Sequence, residues 1–471
     1  MKKYLIITLL ICATGLFLKC SNNNSNSNEK IAKDTVRISE EECSAINLFP
    51  IKPPSNAEPD SGQECQFYQW AWATFLYITQ DTLNKPRFLS YETPSELFST
   101  NATPLFAKKL SNKMLLLAPR LEEDSVVTGF SEVEQAISKS ILVDKNGRVI
   151  YYAQHVNSEF VDFVKAHNFM NMDTLFAADP NLTFPKGCLE LKSSWKIVMP
   201  GDDVSSFYTT KAMVAQFETK KMSDGKSIVV INPQKLKEET VALLGIHVVG
   251  ITDGHPEFIW ATFEHDNLAP NNNNPNRDPE NPSTSISGTI NDTPLDSKNK
   301  YLFYQVGTSA KKCNVLNPIE KLEFANEKNQ TFKNVSSVFH QFWFDDDSLI
   351  ESLNKNVHIM LGKSSVWTNY SFKGAVWINN PKKEFLVNRN FATLDNSDNT
   401  IVGGEKALSN VTMETFTQDK QRCFSCHKTK EEIDPNGDLS FPPKLISVSH
   451  VLTNAYFNTQ RFKILNKIAH K

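Results

Sequence analysis

The residues of this chain best equipped for chemistry are Cys423-Phe424-Ser425-Cys426-His427, a C-x-x-C-H pentapeptide. Two thiols three positions apart can each add to one vinyl group of a haem. The histidine directly after the second thiol is then held beneath the iron as its proximal axial ligand. Eight Cys and ten His among 471 residues would produce such a pentapeptide by chance in roughly 0.003 chains of this composition, so the spacing carries information. Two other chemistries use C-x-x-C. A thioredoxin-like redox pair needs a βαβ context, and none surrounds residues 423–427. A zinc site needs two further ligands at suitable spacing, and the chain has no second C-x-x-C and no H-x-x-x-H. The pattern therefore predicts one covalent haem c, with Cys423 and Cys426 as thioether donors and His427 as the proximal ligand.

The sixth iron position is the open question. A pure electron carrier fills both axial positions, whereas an iron that binds a small molecule keeps one free. Small cytochromes supply a methionine well downstream of the motif, and no methionine follows Met413 here. Three distal candidates remain. His450 follows the motif and could fold back. Met413 precedes it on a predicted helix that also carries Phe416. His265 ends an apolar strand between Glu264 and Asp266, a setting suited to a ligand or a proton-transfer group. Each has a plainer reading, as a surface or capping histidine, a packed core side chain and a hydrogen-bonded loop histidine respectively.

The amino terminus fits a haem attached outside the cytoplasm. Met1-Lys2-Lys3-Tyr4 precedes an apolar run, Leu5 to Leu18, that is long enough for an export signal and short for a membrane-spanning helix. Cys20 follows Lys19 and opens a Ser/Asn tract to Asn28, which looks like a bacterial lipoprotein signal with Cys20 as the lipidated first residue of the mature chain. An ordinary cleaved signal, with Cys20 incidental, is the alternative. Removing residues 1–19 takes away three lysines and moves the formal charge from −3 to −6. That acidity, with no basic cluster, argues against nucleic acid and against electrostatic adhesion to anionic lipid. Membrane attachment is thus expected through the lipid alone. Cys43, Cys65, Cys188 and Cys313 are the even remainder of an exported chain. Loop proximity favours Cys43–Cys65 with Cys188–Cys313, and buried free thiols are the alternative.

The elements that must position the pentapeptide can be read in outline. Residues 20–40 are a polar tether. With 40% hydrophobic residues, 41–408 can form one large α+β domain or two subdomains. Gln66–Ile78 reads as a helix apolar nearly all round, hence buried. Three hairpins follow. Ile141–Val143 meets Val149–Tyr152 across Asn146-Gly147; Ala212–Phe217 meets Ser227–Ile231 across Ser223-Asp224-Gly225; Val241–Ile251 meets Glu257–Phe263 across Asp253–Pro256. Residues 271–300, rich in Asn, Pro, Asp and Ser, read as a long mobile loop. A helix is predicted at Ser348–Leu361 behind Asp345-Asp346-Asp347, and another at Val411–Arg422, capped by Ser409 or Asn410 and running into the motif. The fold class is therefore α+β, an antiparallel sheet with helices, carrying a mostly helical haem segment at 409–471.

The blocks Trp70-Ala71-Trp72, Trp260–His265, Ser365–Tyr370 and Leu408–Phe416, followed by Cys423–His427, resemble a group of exported bacterial proteins known only as cytochrome c family proteins. The resemblance spans residues 60–430 in islands and implies one C-terminal haem behind a large domain of unassigned function. The chain departs from the pattern at Ser447-Val448-Ser449-His450, where an Asp-Phe-Ser segment is more usual.

These observations point first to an exported protein that passes single electrons between its haem and a redox partner in the periplasm or membrane. The size of the large domain keeps open an oxidoreductase that feeds electrons to the haem, and a haem-based sensor or binding module. The chain carries no dinucleotide fingerprint, second metal cluster or nucleophile motif to single out a reaction. In a bacterial host, Cys20→Ser should move the protein from the detergent-soluble membrane fraction to the soluble one. Equal partitioning of both forms would leave only an ordinary export signal.

Overall fold

A computed structural model of the chain describes residues 64–98, 115–119, 140–271, 301–340, 348–389, 401–405, 408–418, 423–434 and 437–469. The lipoprotein-type signal, Cys12, Cys20, Cys43, the polar tether and loop residues 272–300 lie outside them. Residues Ser39–Lys471 form one compact unit, so the described part of 409–471 belongs to the same body as the large domain. The fold class is α+β, as expected. No helix among the described residues is long and apolar enough to cross a membrane.

The first helix, α1 (Glu64–Thr79), covers the expected span and is buried along most of its length, because aromatic residues occupy every side of it. Its two buried threonines cost little. Thr74 and Thr79 donate their hydroxyls to Trp70 O and Phe75 O one turn back, at 2.8 and 2.7 Å.

An eight-stranded sheet forms the centre. Its strands are β1 (Leu115–Pro119), β2 (Ile150–Val156), β3 (Leu189–Ile197), β4 (Thr209–Lys221), β5 (Ser227–Thr252), β6 (His255–His265), β7 (Tyr370–Ile378) and β8 (Val402–Gly404). The order is β8-β7-β6-β5-β3-β2-β1-β4, with β5 also pairing β4. The pairings of β5, β3, β2, β1 and β4 therefore close on themselves. Only β1 and β4 run parallel. The 26-residue β5 makes this closure. One edge pairs first with β4 and then with β6, while the other edge pairs Val241–Gly250 with β3.

The three hairpins form, with differences. Gly147 and Gly225 adopt φ of +77° and +83°, a backbone that only the absence of Cβ makes cheap. The second hairpin is longer than the sequence suggests, with Phe217 opposite Ile231 but Ala212 opposite Glu239. The first is a single bridge, Val143 to Val149. Its second strand continues as β2 and pairs along its whole length with β3, from Ile150 opposite Lys196 to Val156 opposite Glu190.

The helix at Ser348–Leu361, α4, has the expected bounds, following the short helices α2 (Ser158–Ala166) and α3 (Met172–Phe176). The helix expected at Val411–Arg422 is absent from its described part. Residues 411–417 form turns instead, and 419–422 lie outside the described residues. Asn410 is the reason. Its Oδ1 accepts from Thr412 N and Oγ1 at 3.0 and 2.6 Å, and the Thr412 hydroxyl also meets Ser194 at 2.6 Å. These local bonds compete with a regular helix ladder.

The cysteines correct one expectation. Cys188 and Cys313 are free and buried, where a Cys188–Cys313 disulfide was expected. They belong to different apolar clusters: Cys188 sits with Phe160, Phe184 and Val249, and Cys313 with Tyr304, Ala310 and Phe339. Burial pushes both thiols up, Cys313 to about 12. Cys65 is disulfide-bonded, to a partner outside the described residues. Unfolding the protein without reductant should therefore expose alkylatable thiols at Cys188 and Cys313, both protected in the native state. Peptide mapping that finds the two linked, or labelled before unfolding, would contradict this.

Candidate haem-attachment site

Strand alternation gives β6 two faces. Odd positions meet α1: Phe263 stacks on Phe75 at 4.2 Å and meets Trp72 edge-on at 4.9 Å. Even positions Trp260, Thr262 and Glu264 meet the chain after Leu408. Asn410 Nδ2 donates to Thr262 Oγ1 and Phe263 O, and Val411 N donates to Glu264 Oε1 at 2.7 Å. The approach is close. A Cβ on Gly245, in the neighbouring strand β5, would lie 2.7 Å from Asn410 Nδ2, so glycine is needed there. Tyr152 OH donates to Thr412 O at 2.6 Å from β2. The turn before the pentapeptide is thus fastened to three strands.

The pentapeptide forms one helical turn, α5 (Cys423–Cys426), extended by His427 N donating to Cys423 O at 2.8 Å. Neither cysteine is in a disulfide, and both residues are half-buried. Burial of the sulfur, reinforced by the Glu414 carboxylate and Cys426, holds the Cys423 thiol well above its usual range. This is the reverse of a thioredoxin-like pair, whose attacking cysteine is a stabilised thiolate. Nor, among the described residues, do three His, Cys, Asp or Glu side chains converge into a metal-holding group, as zinc would need.

His427 packs its ring on Trp260 at 3.8 Å and hydrogen-bonds Val448 O through Nδ1 at 2.9 Å. A carbonyl only accepts, so Nδ1 carries the proton and Nε2 keeps its lone pair. Burial, with His450 adding to it, holds the ring well below the usual histidine range and hence neutral. A neutral imidazole with one nitrogen tied to a carbonyl is the form in which histidine binds metal. Two buried polar atoms beside it, Trp260 Nε1 and Ser447 Oγ, have no hydrogen-bond partner among the described residues. An orphaned indole N–H at this position fits a site built to receive a further polar group. The donor set, two thiols outside any disulfide and one turn apart, with an oriented neutral imidazole, fits a covalent haem.

The distal candidates separate. His450 opens α6 (His450–Ala469) and is brought to the motif, but its ring stacks face to face on His427 at 4.1 Å and 24°, with Nε2 donating to Cys426 O at 3.2 Å. Burial lowers its pKa to about 4. Stacked in this way and bonded to Cys426 O, His450 would not serve as a second ligand to an iron held by His427. His265 is not brought to the motif. It occupies an odd position of β6, on the opposite face from Trp260, stacked on Phe207 at 3.6 Å. Its Nδ1 accepts from Asn267 N and its Nε2 meets Ser206, so both nitrogens are engaged. Met413 lies in a different apolar cluster, with Leu142, Ile150, Tyr152 and Leu244.

Several groups around the motif escaped the sequence reading. His247 of β5 pairs with Glu414 at 3.0 Å, and Glu190 of β3, only 5% exposed, accepts from Ser449 Oγ at 2.7 Å and Gln154 Nε2 at 2.6 Å. Sequence alone offered no signal for Glu190, which stands in a mixed strand with Lys192, Ser193, Ser194 and Lys196. No protein-family model, curated protein or solved structure matches this chain.

Asn410 ties the turn to the sheet through Nδ2 and closes the turn on Thr412 through Oδ1. Asn410→Ala should lower stability by about 2–4 kcal/mol, since Thr262 and Thr412 lose buried partners. Urea unfolding of the two forms measures it, and a loss under about 1 kcal/mol would show that the turn is held by other contacts.

Proposed function

We propose that this chain is an exported, lipid-anchored redox protein that carries one haem c and exchanges single electrons with a partner protein in the periplasm or at the membrane. One observation carries the reading: His427, directly after two cysteines that form no disulfide, holds Nδ1–H on Val448 O and so presents a neutral Nε2. Bound here, a haem supplies reversible one-electron chemistry. Cys423 and Cys426 would fix it by thioethers, and His427 would ligate it from the proximal side. Val448 fixes the tautomer and the ring orientation. Trp260 packs the ring against the sheet, which keeps water away and limits motion between redox states. The segment 409–471 is the haem-bearing part, and the sheet domain is its support and the surface for a partner. Cys20 would carry the lipid.

A second reading follows from the placement of the distal candidates. With His265 and Met413 held elsewhere and His450 stacked on His427, none of the three distal candidates is placed to complete a haem held by His427, which would then admit a small molecule, as in an oxidoreductase or a sensor.

Protein matured in a host that attaches haem c should keep its haem through acid–acetone extraction. Cys423→Ala or Cys426→Ala should make it extractable, and His427→Ala should abolish the low-spin spectrum or prevent maturation. Haem lost from the unsubstituted protein would refute the assignment. Prompt carbon monoxide binding by the ferrous protein favours the open-site reading, and refusal favours a six-coordinate electron carrier.

A further inference from the structure

The sheet face beneath the motif holds a carboxyl group that haem attachment does not use. Glu190 lies in β3 and is 5% exposed. Its Oε1 accepts from Gln154 Nε2 of β2, and its Oε2 from Ser449 Oγ. Ser449 stands between Val448, whose carbonyl holds His427 Nδ1, and His450, whose ring stacks on His427. Glu190 is therefore one hydrogen bond and one peptide unit from the group that orients the proximal histidine, without touching that histidine.

We propose, resting on the haem reading above, that Glu190 is a redox-linked proton site: it takes up one proton from solvent as the neighbouring haem site takes one electron from its donor, and releases it on oxidation. Charge balances, because the added electron is matched by the proton that converts carboxylate to carboxylic acid. The bonding pattern suits both forms. In the carboxylate, both oxygens accept. In the acid, Oε2 carries the proton, because Ser449 is a hydroxyl and can turn to accept, whereas the Gln154 amide nitrogen can only donate.

The surroundings favour sensitivity to a nearby charge. Burial pushes the Glu190 carboxyl up to about 7, against hydrogen bonds from Ser449 and Gln154 and the charge of Lys192. An oxidised site carries one more positive charge than a reduced one, which favours the carboxylate, so reduction raises the carboxyl pKa and protons are taken up. Lys192 is on the same strand face. The 410–418 turn brings Glu414, which is paired to His247 of β5, and the motif and α6 bring neutral His427 and His450. On α2, Glu159 is turned to Asn157 and Ser158.

The test is spectroelectrochemical titration of the haem-loaded protein across pH, comparing the unsubstituted form with Glu190→Gln. The reduction equilibrium constant of the unsubstituted protein should fall roughly fivefold or more across about two pH units around neutrality. In Glu190→Gln, that dependence should flatten to less than about twofold, with the optical spectrum unchanged. A flat profile in the unsubstituted protein, or a slope that survives in Glu190→Gln, overturns the proposal. Should the variant fail to mature, redox-difference infrared spectroscopy of the unsubstituted protein decides: a protonated-carboxyl C=O band that grows on reduction supports it, and no such band refutes it. A protein that matures without haem shows no redox titration, which sinks the haem reading and this inference together. A haem-bearing protein with a flat profile sinks the inference alone.

Discussion

Everything at the candidate site depends on the docking of a weakly structured segment onto one face of a sheet. A single helical turn cannot hold its own conformation, since a helix nucleus costs more backbone entropy than one hydrogen bond returns. The C-x-x-C-H turn therefore takes its shape from outside. From the amino-terminal side, the turn at 410–417 is bound to β6, β3 and β2 through Asn410, Val411 and Thr412. From the carboxy-terminal side, the 445–449 segment brings Val448 O to His427 and ties itself to β3 through Ser449 and Glu190. Trp260 forms the floor. The large sheet domain is thus the part of the molecule that makes the motif's geometry possible.

This arrangement explains why the even face of the sheet is polar while buried. Glu190, His247 and Glu264 would each be costly in an ordinary core. Here they bond the incoming segment or one another: Glu190 to Ser449, His247 to Glu414, Glu264 to Val411. The opposite face has no such task, and it is filled by α1 with stacked aromatic rings such as Phe75 on Phe263 and Phe67 on Trp377. One sheet thus has a packing face and a working face.

Local signals were legible in the sequence where local physics decides. α1 was readable from an unbroken apolar run and α4 from a helical pattern behind Asp345-Asp346-Asp347, and the hairpin turns from Asn-Gly and Asp-Gly pairs whose glycines take positive φ. The pentapeptide was readable because its chemistry is written in five consecutive residues. What failed depended on distant partners. The expected helix at Val411–Arg422 had a suitable pattern, but Asn410 and Thr412 bond strands more than 140 residues away in sequence. The Cys188–Cys313 pairing looked reasonable by count, yet the thiols lie in separate cores. His265 had an inviting acidic setting, but strand parity places it on the face away from Trp260. Glu190 and Val448 could not be found from sequence, because a buried carboxyl and a backbone carbonyl acquire their roles only through the fold.

The account stands on the claim that Cys423 and Cys426 hold a haem covalently over His427. The most direct measurement is the mass of the peptide spanning residues 423–427, released by protease from protein matured in a host with export and haem-attachment machinery. The account requires that peptide to carry the mass of one haem, linked through both cysteines. An unmodified peptide, or one whose two thiols have closed into a disulfide, would contradict it.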